Sequence, residues 1–187
     1  MTRIQRITPG LLTPYLDFFD NRAFGDNADW SGCYCNCLYA DHCEKPWKDR
    51  APAENRAAVQ ARILRSEMGG YLAFDGERAV GWCGAAPMNS VPAFDEDEEA
   101  DRDRIGVIYC FVVDPAWRRK GVARALLRTV CDDFRTQGLV IAEGNPRPKA
   151  KSAADLHFGP LPLFLSEGFT HHRYDPEDGS VYVRKAL

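Results

Sequence analysis

The stretch that most restricts the architecture is IGVIYCFVV, residues 105–113. A strand with one face in water alternates polar and apolar side chains, and this run does not. It reads as a central strand covered on both faces, which requires helices above and below a sheet. The residues after it are equally restrictive. Asp114-Pro115 closes the strand, Arg118, Arg119 and Lys120 gather positive charge, and Gly121 stands near the start of a helix expected over about 119–137. In that helix Ala123, Leu126, Leu127, Val130, Cys131 and Phe134 form the buried stripe, while Arg124, Arg128 and Asp132 face outward.

A helix N-terminus has backbone N–H groups with no intrahelical partner, and the peptide dipoles add roughly half a positive charge there. Such a terminus holds anions. Gly121 places no Cβ between ligand and backbone, Ala123 keeps the next point of approach small, and the three bases reach phosphate oxygens. The Gly-x4-Gly-Lys-Ser/Thr loop of nucleotide triphosphatases is absent, as is the dinucleotide fingerprint Gly-x-Gly-x-x-Gly. What remains is Arg118-x-x-Gly121-x-Ala123. That hexapeptide alone fits either a phosphate site or a basic cap on an ordinary helix.

The remaining elements follow from periodicity. TRIQRI suits a short strand, and LLTPYLDFFDNRAF a helix. Residues 52–68 read as a helix that begins at Pro52 and buries Ala57, Ala61, Leu64 and Met68. YLAFDGERAVGWCGAAP is a hairpin around Asp75-Gly76. LVIAE is a strand, LPLFLSEGF a short helix, and a single last strand closes the chain. The order β, α, α, β-hairpin, β, α, β, α, β indicates one α/β domain over residues 1–187.

Composition removes several classes. With 187 residues and 45% hydrophobic content the chain can bury a core, and its net charge of −3 argues against a phosphate-neutralising nucleic-acid binder. No apolar run reaches the ~18 residues of a membrane span. The N-terminal residues lack a signal-peptide pattern. The expectation is therefore a cytoplasmic protein, without nucleic-acid or membrane partners, whose seven cysteines are reduced thiols.

Arg118-x-x-Gly121-x-Ala123, the preceding Val113-Asp114-Pro115, the following ARALL and the later LFLSEGF together resemble the GNAT acetyl-coenzyme A-dependent N-acetyltransferase superfamily. CYC, NRAA, VGWC and CFVV are similar to a subset of it. The resemblance implies a mixed central sheet flanked by helices on both faces, with acetyl-coenzyme A as cosubstrate. Backbone N–H groups of Arg119, Lys120, Gly121, Val122 and Ala123 would then hold the pyrophosphate. Phe111 and Val113 would pair with the pantetheine arm where the central strand splays from its neighbour. Val112, Arg118, Arg124, Asn145 and Phe164 complete the expected cofactor contacts.

The implied reaction is acyl transfer to a primary amine of a small molecule or peptide, by direct attack on the thioester. An alkylamine with a pKa of about 10.4 must first lose a proton, and the leaving thiolate must gain one. In many family members a tyrosine of the last helix supplies that second proton, but Phe164 occupies its place here. Glu143 is the first candidate base and Tyr109 a candidate acid, with Cys110 beside it and water as an alternative route. The other functional reading is a non-catalytic acyl-coenzyme A sensor or partner subunit, and the assembly is a monomer or a homodimer.

Cys33, Cys35 and Cys37, with His42 and Cys43 nearby, suggest zinc. On an extended strand, though, alternate residues lie about 6.5–7 Å apart, whereas zinc thiolates converge on bonds of about 2.3 Å. No metal is expected; the cysteines read as small hydrophobes on a strand flanking the acceptor pocket. The acidic run of residues 95–103, with seven carboxylates, reads as a solvated loop able to attract a cationic amine. Trp30, Trp47 and Trp117 read as packing, Trp82 as a possible pocket wall, and His157, His171 and His172 carry no role.

Overall fold

The computed structural model describes residues 2–95, 101–147, 154–176 and 179–187. Seven strands form one mixed sheet: β1 (Arg3–Arg6), β2 (Tyr71–Asp75), β3 (Arg78–Pro87), β4 (Ile105–Val113), β5 (Ile141–Gly144), β6 (Thr170–Tyr174) and β7 (Val181–Ala186), in the order β1-β2-β3-β4-β5-β7-β6. β4 and β5 run parallel and the other neighbours antiparallel. Helices α1 (Leu12–Asn21) and α2 (Pro52–Leu64) cover one face; α3 (Val122–Thr136) and α4 (Leu161–Ser166) cover the other. The fold is the α/β arrangement expected, a mixed sheet with helices on both faces.

The period of two along the strands assigns side chains to two apolar clusters. Leu72 and Phe74 join Tyr15, Phe18, Phe19, Val59 and Ile63 on the α1/α2 face. Tyr71 and Ala73 join Leu126, Val130 and Phe134 on the α3 face. β4 is buried along its length up to Val112, as a central strand covered twice must be.

Two features of β4 position the site. Its pairing with β5 runs from Ile105↔Ile141 to Ile108↔Gly144, where β5 ends, so β4 continues past its parallel neighbour. At that point the β3–β4 register shifts, with Gly84 opposite Cys110 and Ala85 opposite Ile108. A bulge leaves one residue unmatched and re-aims its neighbours. Here Tyr109 is the unmatched residue, and Tyr109 and Cys110, although adjacent, both join the α1/α2 cluster.

Four expectations need correction. The inward face of α2 is Asn55, Val59 and Ile63, while Leu64 is 54% exposed and Ala57 is exposed. Asn55 tolerates burial because its carboxamide is used: Nδ2 donates to the Gly32 carbonyl at 2.9 Å and Oδ1 accepts from Asn36 Nδ2 at 3.1 Å. Residues 33–39 form turns and a short 3-10 helix, not a strand, so the extended geometry assumed for the cysteines does not apply. After α4 there are two strands rather than one; β6, THHRY, is an exposed edge strand and carries no apolar alternation to reveal it. Finally, α3 begins at Val122, because Arg119 and Gly121 take left-handed φ values of 61° and 82°.

Among the described residues no helix is long and apolar enough to cross a membrane.

Candidate active site

The strand-to-helix turn is built in three steps. Asp114 accepts from the Ala116 N–H at 2.9 Å and caps a 3-10 turn over Pro115–Trp117. The chain then reverses through Arg119 to Gly121, whose φ of 82° suits glycine. Within α3 the Ala125 N–H donates to the Gly121 carbonyl at 2.9 Å; the N–H groups of Val122, Ala123 and Arg124 have no preceding turn to donate to. A Cβ built on Gly121 would meet nothing within 4 Å, so the space above these donors is open.

The bases around the turn divide. Arg118 folds back: its Nε donates to the Val113 carbonyl at 3.1 Å and its Nη2 to Asp26 Oδ1 at 2.9 Å. The Arg118 guanidinium holds the Asp26 carboxyl below the ordinary carboxylate range. Arg124 pairs with Glu167 at 3.0 Å, and Arg128 with the same carboxylate at 2.7 Å. Arg119 and Lys120 are exposed, with Lys120 Nζ 5.0 Å from the Trp117 ring centroid.

From this turn a cleft of about 680 Å³ extends to the end of β4 beyond its pairing with β5, lined by Phe111, Val112 and Val113 and by Trp30, His157 and Leu163. A second cleft, of about 580 Å³, lies beyond it and is lined by Cys33, Cys35, Cys37, Trp47, Asn55, Tyr109 and Cys110 among others. Phe24, Trp30, Val112 and His157 belong to both walls, so the clefts meet there.

The cysteine segment of the second cleft is held from several sides. Tyr34 and Cys35 both have positive φ, 47° and 55°. Non-glycine residues keep such values only where their surroundings impose them. The Tyr15 hydroxyl donates to the Tyr34 carbonyl at 2.7 Å, the Tyr34 hydroxyl to Asp20 at 2.6 Å, and Asn55 holds Gly32 and Asn36. All seven cysteines are free thiols. Burial pushes Cys33 up to about 12, while a hydrogen bond made by the Cys110 S–H to Cys35 and then burial raise Cys110. Thiols held neutral are poor nucleophiles and poor metal ligands. Among the described residues no group of three or more His, Cys, Asp or Glu is placed to hold a metal ion.

A family model described as the acetyltransferase (GNAT) family matches residues 33–156. The chain belongs to the GNAT acetyltransferase family. A search of curated proteins finds no match. Among solved structures, the chain is similar to the ribosomal-protein-alanine N-acetyltransferase of Brucella melitensis, at 15% identity and a TM-score of 0.60 over 99% of each chain. It is similar to the PaiA N-acetyltransferase of Thermoplasma acidophilum, solved with coenzyme A, at 12% identity and a TM-score of 0.60 over 100% and 99% of the chains. It is also similar to YncA of Salmonella typhimurium, a putative acetyltransferase solved with acetyl-coenzyme A, at 16% identity and a TM-score of 0.58 over 100% and 94%. At these identities the likeness establishes the GNAT fold.

On this GNAT framework the residues expected from sequence separate. Phe111, Val112, Val113, Arg118, Arg119, Gly121, Val122, Ala123 and Arg124 line the first cleft together. Asn145, half-buried past β5, and Phe164 are absent from the wall of either cleft. Phe164 is fully buried, edge-on to Phe111 at 6.0 Å and Phe169 at 5.1 Å, and stands behind the cleft as core. Glu143 lies outside both clefts; its Oε2 accepts from Arg184 Nε at 2.5 Å across the β5–β7 pairing. Tyr109 does line the second cleft, but its hydroxyl belongs to a closed ring of hydrogen bonds. It donates to the Gly69 carbonyl at 3.1 Å and accepts from Tyr39 at 2.9 Å, and Tyr39 accepts from the Gly69 N–H at 3.2 Å. Burial raises Tyr109 well above an ordinary phenol.

Trp82 is not a pocket wall: it is fully buried against Tyr15 and Phe19, and Trp30, Trp47 and Trp117 line the clefts instead. Of the acidic run, Asp95, Asp101 and Asp103 line neither cleft, and Asp95 and Asp101 pair with Arg102 and Arg104; Glu96–Glu99 lie outside the described residues. The charged side chains on the second wall are Asp29, Lys48 and Arg50. Asp26, Trp30 and His157 were not anticipated as site residues. They lie in aperiodic segments, where neither spacing nor motif marks them.

Proposed function

We propose that the protein transfers an acetyl or other short acyl group from acyl-coenzyme A to a primary amine of a small molecule or peptide, by direct attack on the thioester. The observation that carries this reading is the junction of the clefts. One includes the open backbone donors above Gly121 and the end of β4 beyond its pairing with β5; the other shares Phe24, Trp30, Val112 and His157 with it. The residues present fit the cosubstrate: donors at the start of α3, exposed Arg119 and Lys120, and the length of β4 that runs on past the end of β5 for an extended arm. Bound acyl-coenzyme A supplies an activated carbonyl. The amides near Gly121 hold the diphosphate, β4 beyond Ile108 aligns the arm, and a β4 backbone N–H stabilises negative charge developing on the carbonyl oxygen. The neutral thiols argue against an acyl-cysteine step. Seven free cysteines suit a reducing compartment such as the cytoplasm.

Calorimetry with coenzyme A, followed by thiol release from acetyl-coenzyme A across a panel of primary amines, tests the reading. Binding and turnover are expected; absence of binding overturns it. Phe164, buried and without a hydroxyl at the place of the family tyrosine, favours a second reading, a non-catalytic acyl-coenzyme A sensor. Tight binding without turnover on any amine would select that reading.

A further inference from the structure

We propose that His157 is the proton carrier of the acyl transfer, a role that rests on the acyl-transfer reading above. Of the four residues common to both clefts, Phe24, Trp30, Val112 and His157, only the imidazole can both accept and release a proton near neutral pH. An acceptor in the second cleft and a thioester in the first come together at this boundary. The residue sits in the short 3-10 helix Ala154–Phe158, which lies against β4. Its ring stands 4.4 Å from that of Trp30 and 3.9 Å from that of Phe158, centroid to centroid, which limits its rotation.

None of the proton-carrying groups expected from sequence lies on both walls. The Tyr109 hydroxyl is held by Tyr39 and Gly69, and the Glu143 carboxylate pairs with Arg184 outside the clefts. Phe164 has no proton to give. With His157 the step balances without a further reagent. The amine nitrogen bonds to the thioester carbonyl carbon and the C–S bond breaks. The surplus proton on nitrogen passes to the imidazole, which delivers it to the departing sulfur.

The test uses His157→Gln, which keeps a planar polar side chain but cannot carry a proton, with phenethylamine as probe because the second cleft has indole walls at Trp30 and Trp47. The expected result is a kcat lowered about 10²- to 10⁴-fold, with KM for acetyl-coenzyme A within about threefold of the wild type and melting unchanged. A kcat within about threefold of the wild type overturns the proposal. Carbethoxylation by diethyl pyrocarbonate, read by mass spectrometry, gives a second measurement independent of turnover, and it decides where phenethylamine is not acetylated. Saturating coenzyme A should shield His157, and modification at an unchanged rate overturns the proposal. If the wild type does not bind coenzyme A in calorimetry, the acyl-transfer reading falls together with this role. If it binds and the variant is unimpaired, only the role of His157 falls.

Discussion

The two clefts meet at Val112 but are made in opposite ways. Much of the first comes from one contiguous stretch, Phe111 to Arg124, and its distinguishing groups are backbone: open N–H donors, a left-handed glycine and a β4 edge that has no strand partner beyond Ile108 among the described residues. The second gathers residues from distant segments, near 19–38, 47–55, 109–112 and 157–158, and its distinguishing groups are side chains: indoles, thiols and carboxamides. Backbone donors at a helix start bind any ligand carrying a diphosphate, so they suit an invariant cosubstrate. Side chains assembled by tertiary packing differ from one relative to another and suit selection among acceptors.

The contrast can be broken by substitution, most severely in the core behind the first cleft. Phe164→Ala empties a fully buried site between Phe111 and Phe169 and should cost about 3–5 kcal/mol in urea unfolding. A variant as stable as the wild type would mean that Phe164 is not the packed wall described. Asn55→Ala leaves Asn36 Nδ2 and the Gly32 carbonyl without Asn55 and should cost about 1–3 kcal/mol for each group left buried and unpaired. It should loosen the second cleft alone, so coenzyme A affinity measured by calorimetry should hold; a parallel loss of affinity would show that the clefts are not separable.

Gly121→Val places its Cβ where no protein atom lies within 4 Å, yet it carries about 1–3 kcal/mol of backbone strain and occupies space above the helix start that a diphosphate needs. Coenzyme A should bind roughly tenfold to hundredfold more weakly while circular dichroism stays native; unchanged affinity would remove the diphosphate from this turn. Asp26→Asn breaks the clasp on Arg118 and should cost only about 0.2–1 kcal/mol, since the pair is solvent-screened. Because the folded pKa of Asp26 is depressed, its contribution is complete above the unfolded value of about 3.9 and is lost as pH falls through the folded value. The melting difference between wild type and variant should therefore be present at pH 7 and vanish under acid; a difference that persisted there would assign the effect to something other than this ionisation.

Wherever a few consecutive residues impose geometry, sequence alone was sufficient. Nine apolar residues at 105–113 demanded a strand covered twice, Asp75-Gly76 a hairpin, and Gly121 beside Ala123 an open helix start. Chain-local sterics and periodicity determine such features. Tertiary structure alone decided the rest, because these features depend on distant groups arriving at one place. Arg118 turned toward Asp26, Glu143 toward Arg184 and Tyr109 toward Tyr39 and Gly69, each choosing the partner that packing supplied. The bulge that sends Tyr109 and Cys110 to one face arises from a mismatch with β3 that neither strand shows by itself. His157, without any motif around it, lies at the meeting of the clefts because the short 3-10 helix that carries it packs against β4, whose end runs on past β5.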